Sequence, residues 1–103
     1  MIFEWDEEKD YTNFIKHGVH FEDAEYIFYD PTRIKRHDDD HSEYEERWQT
    51  IGMFDKVLFV VYTEEITEGD IRIISARYAT PKERRIYNGN SETYPYGWSK
   101  ANP

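Results

Sequence analysis

The chain has 103 residues, 22 acidic and 13 basic, with no cysteine and a net charge of −9. That length holds one domain, and no apolar run reaches the roughly 18 residues a membrane-spanning helix needs. The negative charge argues against a general nucleic-acid coat and favours a basic partner.

A mean hydropathy of −0.97 and 17% aromatic residues describe a soluble domain with a thin core filled by large rings. The opening MIFEWDEEKD is acidic and lacks an apolar centre, so it is not expected to be a signal peptide. Absence of cysteine fits a reducing compartment, and a cytoplasmic protein without membrane contact is expected.

Asp6 can cap a helix over Glu7–His17. Acids fill its first turn, Lys16 and His17 its last, and Gly18 terminates it. Tyr11, Phe14 and Ile15 give that helix an apolar stripe. Phe21, Ala24, Ile27 and Phe28 predict a second helix over Phe21–Tyr29, stopped by Asp30-Pro31. Thr32–His37 reads as a charged edge strand and Asp38–Glu46 as an acidic loop. Arg47–Phe54 reads as a strand that turns near Asp55. VLFVVYT, Val57–Thr63, is an unbroken β-branched and aromatic run, as in a strand covered on both faces. Glu64–Asp70 is a predicted turn and Ile71–Ala79 a strand. Thr80, Pro81 and Glu83 then open a helix with a capping box. From Gly89 onward no periodicity is visible, and a mobile tail is expected, with Tyr94, Tyr96 and Trp98 able to dock on a surface. The expected fold class is α+β: two N-terminal helices, a three- to four-stranded antiparallel sheet and a C-terminal helix. Residues 1–88 form the domain and 89–103 the tail.

Five of the 13 basic residues fall between Arg72 and Arg85, within IRIISARYATPKERRIY. A cationic patch on an acidic protein suggests a phosphate-bearing substrate held at one place, since arginine offers a fixed fork of donors to phosphate.

Four segments resemble a known family. They are FEWDEEKDYTNFIKHGVHFEDAEYIFYDP, HSEYEERWQTIG, VVYT and IRIISARYATPKERRIY, in that order, across about residues 3–87. Together they are similar to the BrnT toxins of bacterial type II toxin–antitoxin modules. The resemblance implies a RelE-like ribonuclease fold and RNA cleavage that arrests translation. It implies neutralisation by a BrnA-like ribbon-helix-helix antitoxin, DNA contact only through that antitoxin, and repression of the pair's own promoter. The tail after Tyr87 lies outside it.

Metal-independent RNA cleavage needs a base for the 2′-hydroxyl, positive charge at the phosphorane and a proton for the leaving oxygen. With the resemblance, this singles out Arg77, at a strand end and on a face with Ile71, Ile73 and Ser75 by period 2. Arg47 starts a strand that can place it across the sheet from Arg77. Lys16 and Tyr87 complete the catalytic candidates, while His17, Arg84 and Glu46 are candidates for substrate contact. Each has a plainer alternative. Arg77 can cap the sheet or pair with the acidic loop, and Arg47 can pair with Glu43, Glu45 or Glu46. Glu46 can be a solvated charge, Lys16 and His17 can complement a helix dipole, and Tyr87 can belong to the core. The run His37-Asp38-Asp39-Asp40-His41 suggests a metal site but lacks H-E-x-x-H spacing and reads better as a hydrated loop. No metal or cofactor is called for. The alternative function is a catalytically weak or inactive antitoxin-binding protein acting in promoter autoregulation.

Overall fold

A six-stranded sheet organises the protein, in the order β1-β5-β4-β3-β2-β6. The structure, a computed structural model, describes residues 1–65, 69–89 and 93–102. β1 (Phe3–Glu4) leads into α1 (Glu7–His17) and α2 (Phe21–Ala24), and α2 continues as a 3-10 segment over Glu25–Tyr29. β2 (Ile34–His37), β3 (Trp48–Phe54), β4 (Lys56–Glu64) and β5 (Ile71–Tyr78) follow. α3 (Pro81–Tyr87) and β6 (Ser99–Lys100) complete the chain.

The α+β class is observed, with more strands than the expected three or four. β1 and β6 are two residues each, too short to leave a periodic signal. β1 runs parallel to β5, so the sheet is mixed. The second helix is also shorter than expected, because its later half tightens to 3-10 geometry where it meets β3. A Cβ on Gly52 would lie 3.0 Å from Ile27 Cβ and 3.1 Å from the Ile27 carbonyl oxygen, so a side chain there would have to push the 3-10 segment away from β3. The middle of the expected Glu64–Asp70 turn, residues 66–68, lies outside the described residues, as do 90–92 of the tail.

The sheet buries both faces. One packs Phe21, Ala24, Ile27 and Phe28 against Leu58, Val60, Tyr62, Ile71, Ile73 and Ala76. The other packs Ile34, Ile51 and Phe59 against Ala79, Tyr87 and Trp98. Val57–Thr63 is therefore central, as its composition indicates. The segment read as a tail sends Trp98 into this second face and pairs Ser99 with Lys35 and Lys100 with Ile34. β6 thus covers part of the expected edge strand.

Helix α1 departs from its expected role. Its local signals hold: Asp6 accepts from the amides of Glu8 and Lys9, and Gly18 caps in the left-handed region at φ 74. Its apolar stripe does not face the core, and Tyr11 and Ile15 are both 68% exposed. The helix runs along the edge of β5 instead, attached by Asn13. That buried amide donates to the carbonyls of Val19 and Ala76, 2.8 Å each, and accepts from the Ala76 amide at 3.1 Å. A side-chain amide here substitutes for a neighbouring strand.

Candidate functional site

Strand β5 distributes the arginines. Between the pairs Val61–Ser75 and Tyr62–Ile73 the register shifts, leaving Ile74 as an extra residue. A bulge reverses the alternation beyond it. Ile71 and Ile73 therefore face the first core, while Arg77 faces the second, opposite Phe59. This corrects the expected face of Arg77, since simple period-2 counting cannot anticipate a bulge. Its guanidinium carbon lies 4.1 Å from the Phe59 ring centroid.

Arg77 is bound on its polar side too. Nη1 and Nη2 donate to the two Glu83 carboxylate oxygens at 2.7 and 2.9 Å. Glu83 also accepts from the Thr80 amide at 2.9 Å, while its own amide donates to Thr80 Oγ1. The capping box of α3 thus doubles as the anchor of Arg77. Burial would raise the Glu83 pKa, but Arg77 and the Thr80 backbone outweigh it and hold the carboxyl below its ordinary value.

Arg47 does not face Arg77. Trp48 pairs with Tyr62 and Thr63 with Arg72, so the row containing Arg47 leads to Arg72. Arg77 is instead in line with Phe59 and Ile51, four residues or about 13 Å along the strand from Arg47. Arg47 and Arg72 share Glu45: Arg47 Nη2 lies 3.5 Å from Oε1, and Arg72 Nη2 donates to Oε2. The acidic loop presents Glu45 because Ser42 closes it, donating to the Asp38 carbonyl at 2.6 Å and accepting from the Arg47 amide at 3.0 Å. Glu46 is exposed, 4.0 Å from His37 Nε2. His37 and His41 each contact their own aspartate, Asp39 and Asp38, and no group of three metal-binding side chains forms among the described residues.

Lys16 and His17 line an open groove of about 560 Å³ between α1 and β5, with Lys9, Tyr11, Ile74 and Ser75. Asn13 fixes this groove to the strand at Ala76, the residue before Arg77. The remaining candidates sit on α3. Arg84 is exposed and donates to the Ala79 carbonyl at 2.9 Å. Tyr87 is buried, and its hydroxyl donates to the Asp30 carboxylate and lies 2.7 Å from Thr32 Oγ1. Burial, then the bond to Asp30, raises the Tyr87 pKa. Asp30 feels burial upward, but bonds from Tyr87, the Met53 amide and Thr32 prevail and lower it.

The seven candidates therefore form separate groups: Lys16 with His17 beside the strand of Arg77, Arg47 with Glu46 at the other end of the sheet, and Arg84 and Tyr87 on α3. The sequence alone does not single out Asn13, Arg72 or the Arg77–Glu83 pairing. The capping-box spacing marked Glu83, while a lone asparagine on a polar helix gives no signal of burial.

A family model for the ribonuclease toxin BrnT of type II toxin–antitoxin systems matches residues 5–83. The chain belongs to the BrnT family. No curated protein matches it. Membership makes the protein a ribonuclease toxin by family, of a system that pairs each toxin with an antitoxin. Lys16, His17, Glu46, Arg47 and Arg77 fall inside the region matched to the BrnT family, and Arg84 and Tyr87 fall beyond it.

Proposed function

We propose that the protein is a RelE-like, metal-independent RNA endonuclease that arrests translation in the cytoplasm and is neutralised by a BrnA-like ribbon-helix-helix antitoxin. The observation that carries this reading, beside family membership, is the attachment of α1 to β5 through Asn13. It fixes the helix end bearing Lys16 and His17 beside the strand bearing Arg77. In the proposed reaction the 2′-oxygen of RNA loses its proton and bonds to phosphorus. The bond from phosphorus to the 5′-oxygen breaks, and that oxygen takes a proton, leaving a 2′,3′-cyclic phosphate and a 5′-hydroxyl. The imidazole of His17, with one nitrogen that can accept a proton and one that can donate, is suited to these transfers. Lys16 and Arg77 supply positive charge to the phosphorane, with Arg77 exchanging Glu83 for the phosphate. We assign Arg47 and Arg84 to the RNA backbone and Glu46 to a lesser role, and no proton transfer to Tyr87, whose hydroxyl is committed to Asp30.

One observation favours the second reading, an inactive antitoxin-binding protein in promoter autoregulation. Both Arg77 and Arg47 already hold carboxylates where a phosphate would bind. Induction of the chain alone in bacteria, with RNA integrity and growth followed together, separates the two. Arrest with loss of intact messenger RNA is expected; folded, abundant protein with neither effect selects the inactive reading. Cleavage by purified protein is expected to persist in excess chelator. A neighbouring reading frame for a ribbon-helix-helix protein is the expected partner.

A further inference from the structure

From Ile71 to the C-terminus the sequence carries six basic residues and two acidic ones, Glu83 and Glu92, although the whole chain is at −9. Glu83 is occupied by Arg77. Lys82 and Arg85, three apart on α3 and so on one side of it, open onto a cleft of about 370 Å³ whose other wall is Thr93–Tyr96. Among the described residues neither cation is in an ion pair.

The wall carrying Tyr96 is built rather than loose. Trp98 is its anchor, buried against Phe59 with the Arg36 guanidinium 4.5 Å from its ring centroid. Arg36 also donates to the Tyr96 carbonyl at 3.0 Å, and the Trp98 amide donates to the Pro95 carbonyl at 3.2 Å. These contacts hold Tyr96 at φ 59, in the left-handed region that a bulky residue seldom adopts. Backbone in such a conformation persists where its surroundings over-determine it, often at ligand-binding positions. Here it presents the Tyr96 ring 64% exposed, with the Lys82 ammonium 4.7 Å from the ring centroid.

We propose that this cleft binds a stretch of single-stranded RNA, one base stacked on Tyr96 and the adjoining phosphates held by Lys82 and Arg85. The proposal rests on the ribonuclease reading and extends it to a substrate site away from the reacting phosphate. Exposed aromatic rings beside cations form the platform that single strands use, because every base offers a π-face and every nucleotide a charge. An acidic peptide would satisfy Lys82 and Arg85 but gains less from the open ring. Lys82 lies within the residues matched to the family, and Arg85, Thr93, Tyr94 and Tyr96 lie past residue 83, where that match ends.

The test is fluorescence anisotropy of the full chain with a labelled 2′-O-methyl uridine 12-mer, which lacks the nucleophile for cleavage. Wild type binds, and Tyr96→Ala weakens binding about fivefold or more. Tyr96→Phe keeps the ring and retains the affinity. Lys82→Gln with Arg85→Gln changes two exposed positions remote from the core. It lowers the slope of log affinity against log salt by about 1.4, at about 0.7 per lost phosphate contact on a single strand. No binding by wild type, or affinity and slope unchanged in the double variant, overturns the proposal. So does unchanged oligonucleotide binding combined with loss of binding to the purified antitoxin, which assigns the cleft to a protein. Cleavage of ordinary RNA is followed in parallel. Cleavage without a cleft contribution overturns the cleft alone, whereas cleft-dependent binding without cleavage removes the nuclease reading and retains the RNA site.

Discussion

Arg72 and Arg77 leave the same strand five residues apart, and each meets a glutamate. Arg77 is the one cation paired with Glu83 among the described residues, in two parallel bonds, with the Phe59 ring behind and the Thr80 cap also holding the carboxylate. Arg72 shares Glu45 with Arg47, on a loop closed by one serine, and all three side chains are about a third exposed. The first pair is embedded in two elements at once. The second sets two positive charges against one negative charge at the solvent edge. Stability should reside in the first, and any phosphate-binding surplus at this end of the sheet in the second.

Arg77→Ala is expected to have the largest effect. Loss of one preorganised donor to a developing oxyanion costs about 10²–10³ in rate. The pairing with Glu83 and the stacking on Phe59 mean that stability falls too, by about 1–2 kcal/mol once partial exposure is allowed for. RNA cleavage and thermal melting measured on the same preparation check both. Full cleavage with a lowered melting point would make Arg77 purely structural. Arg77→Lys should also be impaired, since a point charge cannot replace two parallel donors.

Glu83→Gln comes next and acts on the same pair from the other side. It leaves Arg77 without its counter-charge, while the glutamine carbonyl can still accept from the Thr80 amide in the capping box, so a loss of about 1–2 kcal/mol from the ion pair is expected in urea unfolding. It also sharpens the assignment of the pair, because Arg77 becomes free for phosphate and RNA affinity should rise as stability falls. A fall in both would mean that Glu83 positions Arg77 for substrate.

Acid sensitivity follows with a definite sign. Glu83 and Asp30 have pKa values lowered in the folded state. Each contributes stability that is present above its unfolded value and is lost as pH falls through the folded one. The urea midpoint should therefore decline below the ordinary carboxylate range of about pH 4, and Glu83→Gln should flatten part of that decline. Tyr87 and Tyr62 are raised, chiefly by burial, so their contribution is complete below about pH 10 and is lost as pH climbs beyond it. An acid limb unchanged by Glu83→Gln would show that the Arg77 pair contributes little.

The contrast between the two pairs also marks what the sequence discloses. Asp6, Gly18 and the Thr80–Pro81–Glu83 start of α3 were readable because caps are made by neighbours in the chain. Val57–Thr63 was readable because a strand covered on both faces has no polar alternation. The arginine partners were not. Arg72 meets Glu45 across 27 residues, and only the sheet register brings them together. One extra residue at Ile74 moves Arg77 to the other face. Asn13 reaches Ala76 across 63 residues, and Trp98 turns a segment without periodicity into part of the core. Local chemistry thus gave the elements, while the grouping of candidate residues depended on long-range pairing.

Glu45→Gln should have the smallest effect on stability and gives the sharpest test of the shared pair. Its ion pairs are about a third exposed on both sides, and such pairs contribute about 0–1 kcal/mol. Arg72 loses its close donor–acceptor contact, while Arg47 loses only a weak one at 3.5 Å. A double-mutant cycle should therefore assign more coupling to Arg72–Glu45 than to Arg47–Glu45. The substitution removes one of six carboxylates, those of Glu4, Glu45, Glu46, Glu64, Glu65 and Asp70, that line a groove together with Arg72. If that surface attracts a basic antitoxin segment, association slows and its salt dependence weakens, while dissociation changes less. The same change releases two guanidiniums, so RNA binding should strengthen and become steeper in salt. A stability loss as large as that of Glu83→Gln would erase the distinction between the pairs. Unchanged RNA binding would mean that Arg47 and Arg72 serve the acidic loop and not the substrate.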